Sequence, residues 1–416
     1  MGAMTRREVL QSALVTTAAA GVGRAARATP GAPHVAVVGA GAFGGWTALQ
    51  LQRLGARVTL VDAWGPGNSR ASSGGETRAI RAIYGRDRIY TTWVARALEL
   101  WREADASWGT RLYRKMGALW MCGEDDSYVR AALPHLKELG LPVETLDPAE
   151  ARARYPQIAF DGIKTVRVEE EAGTLFARRA CQAVARRFSE EDGDCITLAA
   201  RPGEIRNGSL RAVELSDGSR LEADAFVFAC GPWLPGLFPQ ILGHSLRISR
   251  QEVHYFGTPP GTTFSGSELP IWIDMELGYY GLPASEQRGF KVADDHRGPS
   301  FDPTTGDRLP SSNGIEAARK FVGRRFPGLR DAPLLEARVC QYTNTPDSHL
   351  VVDTHPEADN LWLVGGGSGH GFKLGPALGE LVARHVLDGS RPDPQLAIER
   401  LAELGAPGET IFAQPD

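Results

Sequence analysis

Hydrophobic and polar positions change period along this chain, and the changes mark its elements. Residues 35–38 form a short, continuously apolar run of strand type that opens at once into Gly39. The next stretch places Phe43, Trp46, Leu51 and Leu54 on a roughly helical spacing and stops at Gly55. A second β-rich run, 58–61, ends in Asp62. Helical periodicity returns over 90–108, 128–139, 175–188 and about 376–387. Between 201 and 228 the pattern is that of antiparallel strands turning at Asn207-Gly208 and Asp217-Gly218, closing on an apolar strand that runs into Gly231. Strands dominate 246–292, and 361–364 is one more buried strand, opening into a glycine-rich loop. The fold class this predicts is mixed α/β: a Rossmann-like unit interrupted by a second, mixed-sheet domain.

Composition narrows the picture by exclusion. A chain of 416 residues with 42% hydrophobic and 23% charged residues has ordinary globular make-up and room for about two domains. A net charge of −4 makes neither nucleic acid nor an anionic membrane an expected partner. Five cysteines without CxxC spacing argue against a disulfide framework and against a metal site. Only six of the basic residues are lysine, which draws attention to where those six fall. At the start, Thr5-Arg6-Arg7 precedes a weakly apolar run too short to span a bilayer, and Ala26-Arg27-Ala28 follows as a cleavage site. Residues 1–28 read as a twin-arginine signal, so export is expected; without a working signal the protein stays in the cytoplasm.

The chemistry begins at Gly39-Ala-Gly41-Ala42-Phe43-Gly44. Gly39 permits a tight turn, Gly41 lets backbone approach a pyrophosphate, and Gly44 brings helix and sheet together. The helix N-terminus offers N–H groups to the anion, and Asp62 suits ribose hydroxyls. A loop rich in glycine and serine follows, with Ser72 in it, then Thr77-Arg78-Ala-Ile-Arg81. Near the other end stand Cys340-Gln-Tyr-Thr-Asn-Thr-Pro-Asp347 and Gly365-Gly-Gly367-Ser-Gly369-His370-Gly371-Phe372-Lys373. The latter is a second strand–glycine–helix element, again presenting N–H groups to negative charge.

These blocks resemble the D-amino-acid oxidase superfamily, and within it the monomeric sarcosine oxidase and N-methyltryptophan oxidase group. The resemblance extends over nearly everything after His34. It implies FAD held by 33–111 with 160–240 and 336–392, a substrate domain of 112–159 with 241–335, and a tail of 393–416. It implies oxidation of the C–N bond of a secondary-amine or cyclic amino acid to an imine, with oxygen reduced to peroxide and the enzyme acting as a monomer. By position, Cys340 matches the cysteine bonded to the flavin, which the residues alone would leave as one more buried thiol. Arg81 and Lys373 match the pair that grips the substrate carboxylate, Lys291 the oxygen-activating lysine, and Arg78 an arginine beside the flavin. His296 matches a substrate-pocket histidine once a one-residue gap is allowed near Asp294-Asp295. Gly74 stands where the family has a histidine, which predicts a roomier flavin face and a bulkier substrate. A dehydrogenase using another electron acceptor, or a biosynthetic oxidase of a bulkier amine, is the alternative.

Overall fold

A computed structural model describes residues 31–404; the twin-arginine stretch and the last part of the C-terminal tail lie outside them. Two large sheets organise the described residues. The first has six strands in the order Val351–His355, Ala358–Gly365, Ala225–Phe228, His34–Val38, Arg57–Val61 and Asp194–Ile196. All neighbours are parallel except the first pair. His34–Val38 is buried at every residue, as a strand covered on both faces must be. One face is covered by the helices Ala42–Arg53, Arg88–Trp108 and Gly375–Asp388, the other by short antiparallel strands between 200 and 222. Helix Ala42–Arg53 packs closely on Gly375–Asp388: a Cβ on Gly379 would lie 2.8 Å from the Trp46 side chain, and one on Gly375 2.9 Å from it.

The second sheet has eight strands in the order Leu334–Asn344, Arg247–Phe256, Phe290–Asp294, Tyr279–Leu282, Ile271–Asp274, Ala118–Cys122, Thr165–Glu169 and Val143–Leu146. Strand alternation splits its central strands between two chemistries. Phe256, Trp272, Phe290 and Val292 point to one side and pack on Phe321, Val322 and Phe326 of the helix Ser312–Arg325 and its end. Trp272 stacks on Phe321 at 5.4 Å and on Phe290 at 5.8 Å. The other side carries Lys291, Tyr280 and Cys340 and faces the first sheet's glycine loops.

Two expected domain boundaries move. Thr165–Glu169 pairs with Ala118–Cys122, and Leu334–Asn344 pairs along most of its length with Arg247–Phe256, so both strands belong to the larger sheet. The family resemblance put Cys340 in the cofactor domain, within 336–392. The backbone hydrogen bonds instead place it on the opposing sheet, which presents it across the cleft. Among the described residues, no helix is long and apolar enough to cross a membrane.

The larger sheet is pinned by a buried ion pair. Arg325 Nε donates to Asp274 Oδ2 at 2.7 Å, both side chains being 1% exposed or less, and Arg325 also donates to the carbonyls of Ala159 and Asp161. Arg325→Ala strands the Asp274 carboxylate in the interior and should cost about 3–5 kcal/mol. A melting temperature within about 2 °C of wild type, where a loss of that size moves it by several degrees in a chain this long, would refute that assignment.

Candidate active site

An elongated cavity of about 300 Å³ runs over the C-terminal ends of the parallel strands, lined by Gly39, Gly41, Ala42, Phe43, Asp62 and Ser72 among others. Its shape depends on glycine. Gly39 has φ +106°, and a Cβ there would sit 2.5 Å from the Ala229 carbonyl oxygen. A Cβ on Gly44 would come within 1.9 Å of the Gly39 oxygen, so the helix start presses directly on the turn. Gly41 caps that helix without a side-chain cap, and Ser73 Oγ accepts from Ala42 N at 3.1 Å. Asp62 accepts from Ala40 N at 2.8 Å with one oxygen and from Trp64 N at 2.9 Å with the other. Each oxygen can accept a further bond, and Asp62 lines the cavity, as a ribose hydroxyl would require. Trp64 and Trp233, 4.8 Å apart, wall the outer end; sequence reasoning passed over both because neither lies in a motif.

These residues fit a dinucleotide cofactor: a glycine turn too tight for any Cβ, a helix start free of side chain, and an acid at the second strand's end. The inner end is closed by Gly367, Gly369, Gly371 and Phe372, with Gly367 and Gly371 packed against the Phe43 ring. Phe372 stacks on Trp101, whose Nε1 donates to the Lys373 carbonyl at 2.9 Å.

Past this end the two sheets bring together a buried polar cluster. Opposed residues on neighbouring strands share a face, so the pairings Tyr255–Lys291–Leu282, Val253–Ala293–Tyr280 and Gln251–Cys340 set Lys291, Tyr280 and Cys340 on one side. Lys291 Nζ donates to the Thr77 carbonyl at 3.0 Å. Burial and nearby Arg78 lower its pKa to about 7. Arg78 lies between the sheets, with Nη2 3.7 Å from Cys340 Sγ and donating to the Ser72 carbonyl. Ser72 Oγ in turn donates to the Gln341 carbonyl at 2.9 Å, tying the glycine–serine loop to the cysteine strand. Thr77 begins the strand that carries both Arg78 and, just beyond its end, Arg81. A second, polar cavity of about 210 Å³, lined by Glu76, Tyr255 and Arg288 among others, reaches Lys291 from the other direction.

Arg81 and Lys373 are both nearly fully buried, at 5% and 4% exposure. The Arg81 guanidinium lies 4.4 Å from the Tyr84 ring and 5.2 Å from that of Trp120. Lys373 Nζ donates to Tyr84 Oη at 2.7 Å and to the His370 carbonyl at 2.8 Å, which leaves its third N–H for an anion. Burial first, then Arg81, pushes the Lys373 pKa well below its ordinary value.

His370 is positioned rather than reactive. Its Nε2 faces the Ser348 carbonyl at 2.8 Å and must carry the proton, so Nδ1 accepts from Tyr84 Oη at 3.1 Å. The chain Lys373 to Tyr84 to His370 to Ser348 therefore fixes every proton and aims the lysine. Glu169 receives N–H groups from Ala82 and from Trp120, both at 2.6 Å, and braces the Arg81 segment from behind.

Two expectations are corrected here. His296 does not project into this cluster: its side chain is half exposed and its Nδ1 sits 2.6 Å from Asp294 Oδ1 at the surface. Strand parity explains why. Lys291, Ala293 and position 295 share a face, so the neighbour that turns inward is Asp295, which is 2% exposed. Counting in twos from Lys291 would have found it. Gly74, too, leaves no room of its own: a Cβ there would fall 1.8 Å from the Asn68 carbonyl oxygen, so the loop backbone fills that point.

Comparison with known proteins agrees with this geometry. Residues 34–385 match the family described as FAD dependent oxidoreductase. A monomeric sarcosine oxidase of Streptomyces avermitilis is 31% identical over 377 residues, 86% of this chain and 95% of that protein. A peroxisomal sarcosine oxidase of Mus musculus is 30% identical over 83% of this chain and 90% of its own. An N-methyl-L-tryptophan oxidase of Yersinia pestis is 26% identical over 86% of this chain and 95% of its own. In fold, the L-proline dehydrogenase of P. horikoshii superposes with a TM-score of 0.78 over 89% of this chain and 98% of that one, at 20% identity.

Proposed function

This chain belongs to the FAD-dependent oxidoreductase family and acts on CH–NH groups, and from that premise we propose that it oxidises a secondary-amine amino acid to an imine and passes the electrons to oxygen as peroxide. The observation that carries the reading is the pair of buried cations, Arg81 and Lys373, which act on one another and on Asp295, whose charge also reaches Tyr280 and Tyr342 on the Cys340 side of the site. Arg81 donates to the Ile83 carbonyl and lies over two aromatic rings, and Lys373 is aimed by its bonds to Tyr84 and His370, an arrangement whose remaining N–H groups suit a substrate carboxylate.

Gly39, Gly41, Ala42, Asp62 and the Gly367–Phe372 loop would hold FAD, which would supply the acceptor for a hydride equivalent. The chain's own residues do the rest. Arg81 and Lys373 bind the carboxylate and so fix the carbon next to nitrogen against the cofactor. Tyr84 and His370 keep Lys373 aimed. Lys291 holds a positive charge where oxygen accumulates negative charge. Cys340, on the strand facing the cofactor loops, is read as the covalent anchor of the flavin, and the sarcosine oxidase relatives named monomeric fit a single-subunit enzyme. Export by the twin-arginine route belongs to the same reading, on Arg6-Arg7 and Ala26-Arg27-Ala28.

A peroxide assay over N-methyl and cyclic amino acids, with the matching amines lacking a carboxylate as controls, tests this. Peroxide from the acids and not from the amines is expected. Flavin that is reduced anaerobically but reoxidises slowly in air would make the enzyme a dehydrogenase instead. Yellow colour that stays in solution when the protein is precipitated with acid would remove the bond to Cys340.

A further inference from the structure

Asp295 is a buried acid that the reaction above leaves without work. It lies on the site face of the larger sheet, four residues beyond Lys291, with its backbone N bonded to the Gly278 carbonyl at 2.8 Å. The residue is 2% exposed, yet its Oδ2 has no hydrogen-bond partner among the described residues. The groups whose charges act on it are Arg81 from the carboxylate clamp, Asp294 and His296 on either side, and Arg297 just beyond. Asp295 in turn acts on Lys373, and on Tyr280 and Tyr342, whose hydroxyls meet at 3.1 Å. A carboxylate oxygen shut away from water without a donor is expensive. Glu169, the other buried acid that acts on both cations, is already satisfied by the N–H groups of Ala82 and Trp120. Two cations within reach of one acid that lacks a donor have the charge pattern complementary to a zwitterion.

Resting on the amino-acid oxidase reading, we propose that Asp295 receives the substrate's amino group: its Oδ2 pairs with the ammonium as the zwitterion enters and then takes one proton from it. The proton moves from nitrogen to carboxylate and no electrons move in that step. The nitrogen lone pair so exposed becomes the second half of the C=N bond when the hydride equivalent leaves carbon. Asp295 returns its proton to water after the iminium product departs, so one proton and one hydride equivalent leave the ammonium form per turnover. Burial raises the carboxyl to about 7, so both protonation states are within reach near neutrality.

Two unreactive probes of one shape separate charge from bulk: trimethylammonioacetate, with a fixed positive charge, and 3,3-dimethylbutanoate, with carbon in place of nitrogen. Their dissociation constants are read from the flavin absorbance change at pH 8. The wild type should prefer the charged probe at least tenfold, and Asp295→Asn should bring the two within about twofold. The second readout is the pH dependence of anaerobic flavin reduction by the best substrate of the amino-acid panel. The wild type should inflect near the carboxyl value. In Asp295→Asn the rate constant should climb tenfold per pH unit up to the substrate amine's own pKa. Flavin content and melting temperature establish that the variant is folded, with Asp295→Ser as its substitute.

A folded variant that keeps both the probe ratio and the pH profile overturns the proposal, as does a wild type without the preference. If neither probe perturbs the flavin, the pH profile decides alone. A panel in which no amino acid reduces the wild-type flavin defeats the underlying reading instead, and the probe ratio still reports on Asp295.

Discussion

Lys291→Met slows the reaction of the reduced enzyme with oxygen by about 10²–10³-fold, while anaerobic reduction by substrate changes by less than about threefold. The size follows from removing one preorganised charge from a water-excluded site, about 3–4 kcal/mol of stabilisation where charge develops. The separation follows from geometry. Lys291 donates to the Thr77 carbonyl on the Arg78 side of the cluster, whereas the carboxylate clamp is built on Arg81, Lys373 and Tyr84. Methionine keeps the volume and the unbranched stem, so packing against Tyr255 survives the change.

Lys291 also gives the oxygen step a pH dependence whose sign is fixed. With its pKa lowered to about 7, the amine is charged below that value and neutral above it. Negative charge arriving beside it raises the value, so the wild-type rate falls only as the pH climbs past about 7. The methionine variant should be flat. Rapid mixing of anaerobically reduced protein with aerated buffer measures both; equal reoxidation rates for the two proteins would remove Lys291 from the oxygen step.

What could be read from the sequence was whatever rests on local backbone chemistry. The turn at Gly39, the helix Ala42–Arg53 and the acid at Asp62 each follow from a steric or capping rule that acts over a few residues. The helices beginning near 90, 128, 177 and 375 are recovered to within about three residues at either end. The helix Ser312–Arg325 was passed over, although Ser311 caps it and Ala318, Phe321, Val322 and Arg325 share a face at helical spacing. What could not be read was anything depending on which sheet a strand joins. Leu334–Asn344 and Thr165–Glu169 carry no local sign that their partners lie far back in the chain, Gln251 opposite Cys340 and Trp120 opposite Arg167, so the domain division misplaced them. The His296 assignment failed for a different reason. It followed an alignment gap, while the strand's own alternation pointed to Asp295.

Arg81→Lys should lower kcat/KM for an amino-acid substrate by about 10²-fold, nearly all of it through KM, and Arg81→Ala by about 10³-fold. Removing a buried partner of a charged group costs about 2–5 kcal/mol, and the clamp's second cation, Lys373, accounts for affinity that survives. Lysine is the informative variant because it preserves charge and removes only the planar fork. The Arg81 guanidinium lies over two rings at once, 4.4 Å from that of Tyr84 and 5.2 Å from that of Trp120, with a fork of donors that a single ammonium lacks. If orientation by that fork matters, Arg81→Lys falls close to Arg81→Ala; if charge alone matters, it stays within a few-fold of wild type. The control is the matching amine without a carboxylate, whose slow turnover should be the same in all three proteins. Should the amine lose as much as the acid, Arg81 is holding the walls of the site through Tyr84 and Trp120 rather than gripping a carboxylate, and Lys373 would then be the only cation left to select acids over amines.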